Sequence, residues 1–211
     1  MRKWLLPGFL VLALTGQVCA QDGFVSESTT LSFNVFDKNG KSFVNPAPDV
    51  AGSPFLTDAW TIVGLVINTN RKFDSVKARL NLYSQEVHFL DKNNNEMSLA
   101  KGYIRSVLFA GGIRFQSGYP PVDQQDANNF YQVLSEGKLG LLRSMRKVIT
   151  TEKDVMSGEV KKEYRVYEDY YLYDGKTMQR VKKDKALIDG KEIKFKSIDV
   201  LKKAVDAINA S

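Results

Sequence analysis

The stretch Val76-Lys77-Ala78-Arg79-Leu80-Asn81-Leu82-Tyr83, then Ser84-Gln85, then Glu86-Val87-His88-Phe89-Leu90, decides the fold class. Apolar side chains alternate with polar ones, the period of a strand with one face buried. Ser84-Gln85 sits between the two runs as the tight turn of a hairpin. The same period recurs on both sides.

Towards the N-terminus, residues 60–67 form a β-rich run closed by Asn68-Thr69-Asn70. Residues 45–58 carry three prolines and read as an extended loop. Leu31, Phe33 and Val35 alternate with Ser32 and Asn34, and Asp37-Lys38-Asn39-Gly40-Lys41 reads as a hairpin turn leading into Phe43 and Val44. Towards the C-terminus, residues 91–95 turn the chain into a short strand over 97–99. Residues 104–109 and 113–115 flank Ala110-Gly111-Gly112, a hairpin signal. A polar loop covers 117–129, strands 130–134 and 139–149 flank Ser135-Glu136-Gly137-Lys138, and 151–162 read as a linker or long hairpin tip. Strands 164–173 and 177–182 pair around Asp174-Gly175. Short strands at this spacing predict an antiparallel sandwich or open barrel.

The end of the chain changes period. Ile198, Leu201, Val205 and Ile208 fall on one helical stripe, Ser197 suits an N-cap and Asp199 suits the first turn. The expected organisation is a signal peptide over 1–20, an antiparallel β domain over 21–150, and a β-hairpin with a C-terminal helix over 151–211.

The first twenty residues carry the marks of export. Arg2 and Lys3 precede an apolar stretch from Leu5 to Leu14, and Val18 and Ala20 place small side chains before a cut ahead of Gln21. That stretch is shorter than the ~20 residues a bilayer-spanning helix needs. Cys19 raises lipidation as the competing reading, but Gly16-Gln17-Val18 departs from the Leu-Ala-Gly that precedes a lipidated cysteine. The cut would leave 191 residues and remove the one cysteine, so no disulfide or thiolate site is expected. The expected location is the periplasm, with secretion or the cell surface second.

Three stretches carry a family resemblance. Gly52-Ser53-Pro54-Phe55-Leu56-Thr57-Asp58-Ala59-Trp60 and Val76 to Tyr83, together with Leu134-Ser135-Glu136-Gly137-Lys138, resemble uncharacterised exported proteins of Bacteroidota. The resemblance spans most of 45–182 and implies a bacterial envelope protein. It supplies no catalytic residue.

Composition and charge narrow the function. The chain is 43% hydrophobic and 26% charged, with a net charge of +6. Residues 21–175 are nearly balanced at −1, whereas 176–211 carry +5. This basic end reads either as a solvated lysine-rich face or as a contact for an envelope protein or an anionic glycan or lipid component. Nucleic acid is not expected, because basic and aromatic residues are not interleaved. With one histidine, His88, a multi-histidine zinc site is excluded, and His88 reads as a surface or sheet-face residue. Asp91, Asn93 and Asn95 alternate like the opening of a calcium loop, but Glu96 and Gly102 occupy positions that need glycine and glutamate. No cofactor is expected and no catalytic residue is assigned.

The candidate contact residues are aromatic. Tyr167, Tyr171 and Tyr173 share a strand face with Asp169, and would form either a flat platform for a sugar or peptide or a packed face under the C-terminal helix. Asp58 and Trp60 form a second candidate, either a contact point or a loop anchored by its indole. The expectation is a non-catalytic binding or interaction protein. The alternatives are an Asp/Glu-dependent hydrolase of envelope glycans and a β-cup lipid carrier.

Overall fold

The computed structural model describes residues 40–42, 49–153, 155–156, 158–188 and 191–211. The expected signal segment with Cys19, the expected 31–35 strand, most of the expected 37–41 turn, and Phe43 and Val44 lie outside the described residues. Thirteen strands and one helix follow in chain order: β1 (Gly40–Ser42), β2 (Thr61–Ile67), β3 (Lys72–Asn81), β4 (Glu86–Leu90), β5 (Glu96–Leu99), β6 (Ile104–Leu108), β7 (Arg114–Gln116), β8 (Tyr131–Ser135), β9 (Gly140–Lys153), β10 (Val160–Tyr173), β11 (Met178–Arg180), β12 (Lys185–Ile188), β13 (Lys191–Lys194) and α1 (Ile198–Ala210). The fold is mainly β, and its large sheet is antiparallel throughout, with one C-terminal helix.

Eleven strands form that sheet in the order β1-β5-β4-β3-β2-β6-β7-β8-β9-β10-β11. β2 is the pivot: it pairs with β3 on one side and β6 on the other, so two meanders run out from it in opposite directions. Register slips between Val63 and Leu65, and between Val66 and Ile67, mark irregularities of the bulge type, which increase twist. The sheet curls around one core without closing into a barrel. Val63, Leu65, Phe73, Leu80, Val87, Phe89, Leu99, Val107 and Phe115 from the strands, with Phe130 just before β8, are buried together.

Residues 51–56 form a strap over the open side of the curl. Ala51 makes a parallel bridge to Glu163 of β10, and Phe55 makes an antiparallel bridge to Asn81 at the end of β3. Lys147 of β9 holds the strap, its Nζ donating to the carbonyls of Ser53 at 2.7 Å and Phe55 at 2.6 Å. The Lys147 amide also donates to the Leu82 carbonyl at 3.0 Å, so β9 reaches the β3–β4 turn. Gln85 in that turn adopts a positive φ of 58° and donates to the Leu82 and Met145 carbonyls.

β9 and β10 are the longest strands, with fourteen residues each in one unbroken register. Position 150 therefore lies inside β9, and residues 151–162, expected as a linker or long hairpin tip, form the tip of a long hairpin, strand at both ends. Its charged residues pair across and along the ribbon: Arg165 of β10 holds Glu152 of β9 and Glu163 of its own strand. A ribbon exposed on both faces needs no apolar period, which is why it resembled a linker.

A second core forms under α1. Leu201 and Val205 are fully buried against Leu141, Leu172, Ala186, Ile188 and Phe195. The β12–β13 hairpin contributes to this core and lies where no strand was expected from sequence. Its signal was Asp189-Gly190 between Ile188 and Lys191, obscured by lysines. Near the far end of α1, the Asn209 amide donates to the Leu139 carbonyl at 2.8 Å and accepts from the Leu139 amide at 2.9 Å. It thereby seals the β8–β9 turn, where Gly137 leaves no room for a Cβ beside Asn209.

Candidate functional site

The residues anticipated as contacts fall in two places. Asp58 and Trp60 lie beside the strap, on the outer face of β3 and β4. Tyr167, Tyr171 and Tyr173 lie along β10.

At the first place, Arg79 organises the surroundings. Its guanidinium lies 3.6 Å from the Phe55 ring centroid and 4.4 Å from that of Trp60, between the two rings. Arg79 Nη2 donates to both Glu96 oxygens at 2.7 Å. His88, opposite Arg79 in register and fully buried, donates from Nδ1 to Glu96 Oε1 at 2.8 Å, while Asn81 Nδ2 faces its Nε2 at 3.5 Å. Burial lowers the His88 pKa, and the Glu96 carboxylate opposes that shift. The single histidine is thus a covered sheet-face residue and not a surface one, because Phe55 lies edge-on over its ring at 4.9 Å. The Trp60 indole is half-buried on a guanidinium, and the exposed Asp58 offers only its carbonyl, to Arg79 Nη1 at 3.4 Å. This is a packed polar clasp.

The second place is a cleft. Asp123, Gln124, Gln125, Asn129, Arg146, Asp169, Tyr171 and Arg180 line a volume of about 470 Å³. Strands β9, β10 and β11 supply Arg146, Asp169, Tyr171 and Arg180. The 117–129 loop supplies the remainder.

Register places these groups. Arg146 stands opposite Tyr167, and Arg180 opposite Tyr171, so all four lie on the Asp169 face of the sheet. Asp169 pairs with Arg180, and its other oxygen lies 3.6 Å from Arg146. The loop is fixed by a buried relay: Ser144 Oγ donates to Gln125 Oε1 at 2.7 Å, Gln125 Nε2 donates to the Tyr171 hydroxyl at 3.1 Å, and that hydroxyl donates to Asp123 Oδ2 at 2.9 Å. Two positive-φ residues, Asp123 at 52° and Gly118 at 93°, let the loop fold back onto the strands.

The tyrosines do not make the flat exposed platform. Tyr171 is fully buried, edge-on to Tyr131 at 5.7 Å, and Tyr119 lies edge-on to both Tyr131 and Tyr173. Burial pushes the Tyr119 hydroxyl up to about 12 and raises Tyr131 and Tyr171 as well. Tyr173 is half-buried, with its hydroxyl donating to the Gly175 carbonyl. Tyr167 alone of the three stays exposed, with the Arg146 guanidinium 5.3 Å from its ring. The covering element is the 117–129 loop and not the helix, because α1 packs on Leu141 and Leu172, on the other face.

A further cleft of about 650 Å³ adjoins the first and shares Asp169 and Arg180 with it, extending past Tyr170 and Lys182 to Ser197 and Ile198. The smaller cleft is lined mainly by charged and polar groups, whereas the larger one also exposes the apolar side chains of Val181, Phe195 and Ile198. Among the described residues, no group of three or more His, Cys, Asp or Glu side chains is placed to hold a metal ion. No described helix is long and apolar enough to cross a membrane.

Sequence reasoning identified Tyr171 and the shared face of Asp169 but missed Asp123, Gln125, Asn129, Arg146 and Arg180. They come from a loop and two strands, with no common spacing. Comparison with known proteins matched no family model, no curated protein and no solved structure.

Proposed function

We propose that this protein is a non-catalytic binding module of a bacterial envelope, exported to the periplasm, and that the cleft between β9–β11 and the 117–129 loop is its ligand site. One observation carries the reading: the cleft wall is held in place before any ligand arrives, by the relay from Ser144 through Gln125 and Tyr171 to Asp123. Fixing these side chains in advance lowers the ordering cost of binding. Exposed lysines at 182, 183, 191, 194 and 196 extend the basic end across the neighbouring surface and would draw the protein towards anionic envelope components.

The test is stabilisation by fractionated envelope material. A ligand that binds only the folded state raises the unfolding temperature by mass action. A fraction that raises it for the wild type and not for Arg180→Ala supports the reading, and no stabilising fraction at all overturns it. N-terminal sequencing from a fractionated cell gives the export test, with Gln21 as the expected first residue and a periplasmic location.

A carboxylate hydrolase is the second reading, favoured by Asp123 and Asp169 lining one cleft and both contacting Arg180. Turnover of an envelope glycan that vanishes in Asp123→Asn or Asp169→Asn would select it.

A further inference from the structure

The cleft leaves a particular set of polar groups unpaired. Asn129 lines it at 9% exposure, and its Oδ1 is buried without a hydrogen-bond partner. Buried polar atoms are nearly always paired, so an orphan beside a cleft marks a place for an incoming polar group. The Arg146 guanidinium reaches Asp169 only at 3.6 Å, beyond hydrogen-bond distance, and keeps its donors for the cleft.

Charge narrows the ligand. Arg146 and Arg180 face Asp123 and Asp169, so the formal charges of the lining cancel. An anion would meet two carboxylates, and a cation would meet carboxylates already held by arginine. An apolar ligand would strand every polar group it covered. A hydroxyl group both donates and accepts, and suits amide, carboxylate and guanidinium alike. Beside the cleft, the exposed ring of Tyr167, two residues along β10 from Asp169, offers a face for the C–H side of a sugar. The volume of about 470 Å³ lies within the roughly 300–1,000 Å³ of small-ligand sites.

Resting on the binding reading above, we infer that this cleft takes an uncharged polyhydroxylated ligand, a short segment of neutral glycan. Asn129 and Arg146 hydrogen-bond its hydroxyls, and Tyr167 stacks on a ring at the rim.

Calorimetric titration tests this, with neutral gluco-, manno- and xylo-oligosaccharides as one set of probes and uronic-acid oligosaccharides as the other. The expected result is binding of a neutral probe with little salt dependence, weakened about tenfold or more in Arg146→Gln, as loss of a charged hydrogen bond requires. Tyr167→Ala, an exposed position with little to disturb in folding, should weaken it as well. Binding of only the acidic probes, abolished by Arg146→Gln, would overturn the neutral-glycan inference and leave a binding cleft standing. Neutral binding indifferent to both substitutions would place the sugar elsewhere and overturn the inference. If no sugar of either set binds, the inference falls, and the envelope-fraction test with Arg180→Ala decides separately whether the binding reading falls with it.

Discussion

The Tyr171 hydroxyl donates to Asp123 Oδ2 at 2.9 Å across a sequence separation of 48 residues, joining the floor of β10 to the loop that roofs it. It also accepts from Gln125, so one oxygen ties two loop residues to a strand. That oxygen belongs to the only one of the three anticipated tyrosines that is fully buried.

Tyr171→Phe should therefore lower stability by about 1–3 kcal/mol, because it leaves the buried Gln125 amide without its acceptor. Chemical denaturation measures the loss. The same variant should weaken any ligand of the cleft, since Asp123 loses its anchor. Unchanged stability would show that the relay does not hold the loop.

His88 makes the acid response readable. Burial lowers its pKa below that of the unfolded chain, so the unfolded state binds the proton first as pH falls. The stabilising contribution is complete above about pH 6.5, the unperturbed histidine value, and is lost progressively below it. Glu96, Glu86, Arg79 and Asn81 surround the ring. With one histidine in the chain, a decline in denaturation midpoint between pH 6.5 and 5 belongs to this group. His88→Gln should flatten that segment of the profile, and a slope that persists in the variant would refute the assignment.

Arg79→Lys should cost roughly 1–3 kcal/mol, because an ammonium lacks the planar face that Arg79 sets against the Phe55 and Trp60 rings and has no second nitrogen to reach the Asp58 carbonyl while holding Glu96. In a chain that begins at Gln21, Trp60 is the sole tryptophan, and the fluorescence of that form reports on this place alone. A shift in emission on substitution is the expected sign that the indole has lost its partner.

Asn209→Ala should cost about 1–3 kcal/mol by leaving the Leu139 amide and carbonyl unpaired beneath the helix. Leu201→Ala should cost more, about 2–5 kcal/mol, as a cavity in a fully buried site. Thermal or chemical unfolding of the two variants side by side gives the ranking. The reverse order would mean that the helix is held by its end and not by its stripe.

Some of this was legible in the chain and some was not, for identifiable reasons. The β3–β4 hairpin shows in sequence because its core face takes apolar side chains while the opposite face takes polar ones, His88 and Asn81 included although both are covered, which imposes period two on the residues from Val76 to Phe89. The α1 stripe shows for the same reason, with Leu201 and Val205 fully buried. The outer half of the β9–β10 ribbon did not show: it is exposed on both faces, so Glu152 and Arg165 could pair without leaving a periodic trace.

Residue order along the chain was enough for most of the strands up to β11, the antiparallel class and the C-terminal helix, though not for β12 and β13, because burial of one face is a local, repeating demand on side-chain type. It also placed Tyr167, Tyr171 and Asp169 on a common face, because alternation along a strand is a matter of counting. Which of them is covered was decided only by the tertiary structure, when the 117–129 loop folded back and buried Tyr171 while leaving Tyr167 in solvent. The meeting of Asp123, Asn129, Arg146 and Arg180 was decided there too. Their proximity depends on how the sheet curls and where one loop lands, and no spacing along the chain encodes a distance across it.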